Sequence, residues 1–229
     1  KKEWNAFIYL LKFIDEAKLM QEFGNYPGCR IIPSSDVFKY DLTNTYYNVM
    51  ECCVKGTLKD ELEKRKSIPE KEAIERIILP LARAIKTMHD NRWIHLDIKA
   101  DNVLLDDEGY AMLGDLGIAQ HWDENGKRTT NGASRVGSEG ASQKQKQGDI
   151  KFDLEFHPEQ DVYSLAALYY QILTGKNVKK DDGKYYHYDF RVEDIEIYDN
   201  ISDESKNAIA VALTNGHTLE NTPKNVLDF

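Results

Sequence analysis

The chain has 229 residues, 41% hydrophobic and 30% charged, which is enough apolar material for one medium-sized globular unit or two small lobes. A formal net charge of −9 and a pI near 5.2 argue against general binding to nucleic acid or to an anionic membrane surface. Cys29 and the adjacent pair Cys52–Cys53 form no disulfide framework and lie at no metal-ligand spacing to a histidine, so a reducing, cytoplasmic compartment is expected.

In chain order, "WNAFIYLLKFIDEAKLMQEFG" (4–24) places apolar residues at helical spacing and stops at Gly24. Its apolar run, Ala6 to Leu11, is too short to span a bilayer, and charges resume at Lys12, Asp15 and Glu16. "VFKYD" and "TYYNVMEC" are β-rich runs around Asp41 to Asn44 and predict a hairpin. "CVKGTLKDEL" leads into a short helix. Residues 68–90 carry the strongest helical stripe: Ala73, Ile74, Ile77, Ile78, Leu81, Ala82, Ile85 and Met88. Pro69 suits its first turn, whereas Pro80 should kink it or cost local hydrogen bonds. "VLL" (103–105) and "YAML" (110–113) flank "DDEG" and predict a second hairpin. Residues 121–151 are rich in Gly, Ser, Thr, Gln and Lys and predict a long loop, of the kind that is usually functional or mobile. "EQDVYSLAALYYQILTG" (159–175) is apolar nearly all round and ends at Gly175, as a buried helix would. Ser202 and Asp203 cap a further helix, and "TPKNVLDF" (222–229) can make a last short one. Tyr185, Tyr186 and Tyr188 suit either a solvated loop or part of a partner surface.

Between the long helix and the second hairpin lies His95-Leu96-Asp97-Ile98-Lys99-Ala100-Asp101-Asn102, followed by Asp115-Leu116-Gly117. These resemble the catalytic loop H-R-D-x-x-x-x-N and the metal-binding D-F-G of protein kinases. The order of elements strengthens the resemblance: a hinge-like "NVMECC", the long helix, the loop, a hairpin, D-L-G, a long loop and "DVYSLAALYYQILTGK". It implies an α+β, bilobal fold with a small, reduced β-containing N-lobe over 1–50, a hinge at 51–56 and a mainly helical C-lobe over 57–229. By the same resemblance, Asp97 accepts or orients the acceptor hydroxyl. Lys99 neutralises the transferring phosphoryl, as in the Ser/Thr-type loop, and Asn102 and Asp115 hold Mg²⁺. Glu51 and Cys53 meet the adenine of ATP through the hinge backbone, Met50 guards the back of that pocket, and Leu104 is its floor. Glu16 matches the ion-pairing glutamate of the regulatory helix, although a glutamate four residues after Lys12 can equally be a solvated helix pair. Asp161 is expected to bond the loop backbone, and His95 to be a packed structural residue.

Four departures stand beside this. No G-x-G-x-x-G occurs in the sequence. The lysine of the family's ion pair has no clear counterpart: Lys1 and Lys2 lie 15 and 14 residues before Glu16, a spacing short for the family. Leu96 replaces the arginine that grips a phosphorylated activation loop, so Thr129, Thr130 and Ser134 lose that receptor. A-P-E is not recognisable; "GSEGAS" (137–142) is similar to the stretch that precedes it, with Ser138 in the substrate-loop threonine place, and Pro158-Glu159 lies too close to Asp161. Secreted parasite kinases without a glycine loop and minimal kinases injected by bacterial pathogens are similar in this combination. The expected activity is therefore transfer of the ATP γ-phosphate to Ser/Thr of a protein substrate, in the cytoplasm or as a secreted effector. An activating or scaffold partner is conceivable; a nucleic-acid partner and a membrane span are not expected. The alternatives are a pseudokinase binding module, a kinase-fold enzyme that transfers another group, and an ordinary kinase that continues upstream.

Overall fold

The computed structural model describes residues 2–122, 158–178 and 190–214. Ser138, Thr129, Thr130, Ser134, Tyr185, Tyr186, Tyr188 and the segment 222–229 lie outside them.

Helix α1 spans Lys2–Gly24 and buries Ala17, Leu19, Met20 and Phe23 on one face. It ends at Gly24 because the chain there passes against Pro33; a Cβ at Gly24 would stand 2.6 Å from the Pro33 Cα. Strands β1 (Ser34–Tyr40) and β2 (Thr45–Met50) form the expected antiparallel hairpin, with Phe38 opposite Tyr47 and their rings stacked at 5.4 Å. Asn44, in the turn, takes the left-handed conformation that asparagine tolerates. The hairpin rests on α1, where Asn48 reaches the Met20 sulfur. Its other face leaves Phe38, Tyr40, Tyr47 and Val49 exposed.

The larger part begins with α2 (Leu58–Arg65), started by a capping box in which Thr57 and Asp60 satisfy each other's backbone amides. The long helix expected over 68–90 starts later, at Glu70, and is not uniform. It runs as α3 (Glu70–Ala73), a π turn (Ile74–Ile78) and α4 (Leu79–Asp90). Proline has no N–H to give to the carbonyl four residues back, so the helix widens just before Pro80, and Leu79 N–H bonds Ile74 O instead. The expected local cost at Pro80 is thus met by a change of helix type.

Two short strand pairs follow. β3 (Trp93–Ile94) pairs with β6 (Gln120–His121), and β4 (Val103–Leu105) pairs with β5 (Ala111–Leu113). The β3–β6 pair was not legible in the sequence, and it places His121, expected at the start of the long loop, in a strand. Helix α5 (Glu159–Thr174) is buried on nearly every side and is the centre of the core. It stops at Gly175, whose φ of 70° is the left-handed cap conformation. Short helix α6 (Glu193–Glu196) and α7 (Asp203–Thr214) complete the described chain. Ser202, rather than Asp203, caps α7 by accepting from Ser205 N–H, while its own N–H and hydroxyl donate to Glu70 of α3. Tyr169 of α5 bonds Ser205 at 2.7 Å.

One stretch ties the smaller part to the larger. Leu113 N–H donates to Arg30 O at 2.7 Å, and Ile32 N–H donates to Leu113 O at 3.0 Å. The segment after α1 is therefore laced to β5, immediately before Gly114 and Asp115. No described helix is long and apolar enough to cross a membrane.

Candidate active site

The site is built on the loop between β3 and β4, and a single buried carboxylate holds that loop. Asp161, in the first turn of α5, is 0% exposed. Its Oδ2 accepts from His95 N–H at 2.9 Å and its Oδ1 from Leu96 N–H at 2.8 Å. Leu96 has φ +68°, a left-handed backbone that costs a leucine about 1–2 kcal/mol. The two charge-assisted bonds fall on the strained turn and offset that cost. Leu96 is only 1% exposed, so its side chain fills the core in place of a solvent-facing cation.

His95 is fully buried. Its Nδ1 accepts from Asp97 N–H at 3.1 Å, which leaves the proton on Nε2 to donate to Gly114 O at 3.0 Å. One imidazole thus fixes Asp97 and the residue before Asp115 together. It is a structural residue, as expected.

Asp97 is buried apart from a small opening. Its Oδ2 accepts from Lys99 Nζ at 2.7 Å and from Asn102 Nδ2 at 2.8 Å. Asn102 Nδ2 also donates to Asp97 O at 2.9 Å. Asn102 is held by the 3₁₀ turn Ala100–Asn102, and its own O accepts from Gly114 N–H. Both of the amide nitrogen's protons are spent on Asp97, so Asn102 Oδ1 is left as an oxygen donor. Asp115, exposed and at φ +57°, accepts from Gly117 N–H at 3.3 Å through Oδ1.

Glu16 reaches the same place from α1. Its Oε2 and Asp115 Oδ1 each lie 3.3 Å from where a Cβ would stand at Gly117. Burial, and then the neighbouring Asp115 charge, push the Glu16 carboxyl above its ordinary range, against the pull of Leu116 N–H. Among the described residues neither carboxylate has a cationic side-chain partner, so Glu16 is not the surface pair with Lys12. The missing side chain of Gly117 keeps open a cradle lined by hard oxygen donors. Carboxylate oxygens of this kind suit a hard divalent cation such as Mg²⁺.

The residues expected around a nucleotide lie at the end of β2, in the segment after it and on β4. Leu104 is half-buried, its Cδ1 3.4 Å from where a Cβ would stand at Gly114. Cys53 is half-buried with its Sγ 3.9 Å from Met112 Sδ; burial, then Glu51 and Asp106, raise its pKa, so the thiol stays protonated. Glu51 N–H donates to Pro33 O, and Gly56 N–H donates to Cys53 O. Met50, assigned from the sequence to the back of the pocket, is 48% exposed at the end of β2.

Sequence reading missed His89. It lies in the last turn of α4, and its Nε2 is 2.9 Å from Asp161 Oδ2. A lone histidine at a helix C-terminus ordinarily reads as a complement to the helix dipole, so nothing in "TMHDNRW" marked it. It also missed the aromatic pairing behind the loop, Trp93 on His121 and His89 on Trp122.

A family model described as "protein kinase domain" matches residues 2–227. The Drosophila melanogaster membrane-associated tyrosine- and threonine-specific cdc2-inhibitory kinase is 36% identical over 130 residues, 56% of this chain and 23% of that protein. Serine/threonine-protein kinase hippo from Drosophila melanogaster is 37% identical over 123 residues, 53% of this chain and 18% of that protein. A probable serine/threonine-protein kinase of Clostridium perfringens is 32% identical over 185 residues, 76% of this chain and 26% of that protein. The chain thus spans about a quarter or less of the length of these relatives.

Proposed function

Because the chain belongs to the protein kinase domain family, we propose that it transfers the γ-phosphoryl group of ATP to a serine or threonine hydroxyl of a protein substrate. The observation that supports this best is the Asp97–Lys99–Asn102 cluster, tied through Asn102 O to the N–H of Gly114 beside Asp115, on a loop whose strained turn is clamped by Asp161. Phosphoryl transfer asks a protein mainly for positioning and charge neutralisation, and this cluster supplies both.

Asp97 Oδ2 is occupied by Lys99 and Asn102, which leaves Oδ1 to accept the proton of the acceptor hydroxyl. The acceptor oxygen forms a bond to the γ-phosphorus, the bond to the β,γ-bridging oxygen breaks, and ADP leaves. Lys99 Nζ donates to Asp97 Oδ2 and is exposed enough for its ammonium to face the transferring group. Asn102 and Asp115 would hold Mg²⁺, whose chemistry is Lewis-acid neutralisation of phosphate oxygens. Residues 1–50 and 57–229 act as the two lobes, with ATP at the hinge 51–56 through the backbone of Glu51 and Cys53, above Leu104 and beside Met50. Ser138 belongs to the substrate-facing loop in this reading. Lys99 is the residue that favours Ser/Thr over Tyr, although one relative is named as tyrosine- and threonine-specific.

The test is Mg-dependent incorporation of label from γ-labelled ATP into a generic acceptor protein, with the product identified by mass and by phosphoamino-acid analysis. Asp97→Asn and Asp115→Ala should each lower the rate by at least about a hundredfold. Equal incorporation in the variants would overturn the role of these residues. A nucleotidyl adduct would give the enzyme a different reaction. ATP binding without transfer, in this chain and in one extended upstream, would make it a binding module.

A further inference from the structure

We propose that Tyr110 and Arg76 are positioning residues for nucleotide binding, acting through Arg30. The kinetic part of this inference rests on the transferase reading above; the structural part does not.

Three side chains from three separate places meet at the tip of the second hairpin, and none of them belongs to the transfer loop. Arg30 comes from the segment between α1 and β1, Tyr110 from the turn before β5, and Arg76 from the π turn ahead of Pro80. Both guanidinium groups stand over one ring: the Arg30 carbon lies 5.9 Å and the Arg76 carbon 5.4 Å from the Tyr110 centroid. At that range the negative face of the ring attracts a cation. Two like charges beside one ring repel, and each is answered separately. Arg30 Nη2 is paired with Asp106 Oδ2, while Arg76 Nη1 donates to Glu108 O. Gly109 makes the second contact possible. It sits at φ +87°, and a Cβ there would stand 3.3 Å from Arg76 Nη1.

The result is a link between the smaller part of the molecule and the larger. Strands β4 and β5 have three residues each, too few to hold the direction of the hairpin by themselves. Arg76 fixes the tip to the helical frame. Arg30 fixes its own segment to the same tip, through Asp106 and through Nε, which donates to Ala111 O at 3.2 Å. That segment leads to the proposed hinge: Ile32 N–H donates to Leu113 O at 3.0 Å, and Glu51 N–H donates to Pro33 O at 3.3 Å. The hairpin also carries Leu104, the floor of the nucleotide pocket in the transferase reading. The Tyr110 ring therefore keeps floor and hinge in one register. Asp97 is set by the Asp161 clamp instead, so loosening the ring weakens nucleotide binding and spares the transfer step.

Three substitutions in the full chain test this. Tyr110→Phe keeps the ring, Tyr110→Leu keeps apolar bulk without it, and Arg76→Gln removes one cation from an exposed position. The first readout, amide hydrogen exchange, needs no activity. Tyr110→Leu and Arg76→Gln should each speed exchange at Ile32 and Glu51 by about threefold or more with Leu96 unchanged, and Tyr110→Phe should match the unaltered chain. The second readout is steady-state kinetics. Both loosening variants should raise KM for ATP by about 3–10-fold with kcat within about twofold. A leucine variant that protects Ile32 and Glu51 as well as phenylalanine does would overturn the proposal, since packing alone would then suffice. So would a fall in kcat with KM unchanged. If Tyr110→Leu does not fold, Arg76→Gln decides alone: faster exchange at both amides supports the link, and unchanged exchange refutes it. If the unaltered chain neither binds ATP nor transfers phosphate from it, the transferase reading fails, and the exchange result still decides whether the ring joins the two parts.

Discussion

Replacing Asp161 with asparagine changes one atom of the side chain and almost nothing of its volume, so the cost isolates the hydrogen bonding. The carboxylate accepts three bonds, two at Oδ2 from His89 and His95 and one at Oδ1 from Leu96. Asparagine offers one oxygen. Its best orientation keeps that oxygen in the place of Oδ2 and turns the amide NH₂ toward Leu96 N–H. One charge-assisted bond is then lost, about 1.5–3 kcal/mol, and a buried N–H is left facing another donor, about 1–3 kcal/mol. Removing a buried charge returns part of that. The strain of Leu96 at φ +68° is then no longer offset. A net loss of about 3 kcal/mol is expected, which for a domain of this size lowers Tm by about 6–12 °C. Urea and thermal unfolding followed by circular dichroism measure it, with an unchanged m-value showing that the denatured state is the same. A loss below about 1 kcal/mol would mean that the carboxylate does not carry these bonds and that the loop is shaped by packing alone.

Gly175→Ala should destabilise by about 2–4 kcal/mol in the same assay, because φ is +70° and the new Cβ would collide with Lys66 O. Glu72 is held below its ordinary value of 4.5 by the bidentate Arg65 guanidinium, although both groups are partly exposed. The folded state therefore prefers the ionised form. That contribution is present above pH 4.5 and is lost as pH falls through the depressed value. Glu72→Gln should cost about 0.5 kcal/mol at pH 7, and the gap from the unaltered chain should close on acidification; a pH-independent gap in unfolding free energy would exclude the ion pair as its source. Chelating divalent cations should abolish labelled-phosphate incorporation while moving the Tm of the nucleotide-free chain by less than about 2 °C, since the fold is held by the apolar core and by Asp161 rather than by a metal. A larger drop in scanning calorimetry would place a structural cation in the protein.

Elements whose apolar stripe, cap or turn is local were legible from neighbouring residues alone: α1 ending at Gly24, α5 ending at Gly175, and the two hairpins around Asp41–Asn44 and "DDEG". Each rests on spacing or on turn chemistry that a few neighbouring residues decide. The candidate site residues Asp97, Lys99, Asn102 and Asp115 are likewise legible in the chain, because they occur in one short ordered stretch. Contacts across long separations depend on the packing of the whole chain. Asp161 meets Leu96 over 65 residues, His89 meets Asp161 over 72, and Glu16 meets Asp115 from the other part of the molecule. The short strands β3 and β6 have no period long enough to read, and they exist because a distant partner supplies their hydrogen bonds. The same holds for the π turn before Pro80. Proline predicts that a bond must be lost, but how the helix absorbs the loss depends on the buried face it has to keep against the core.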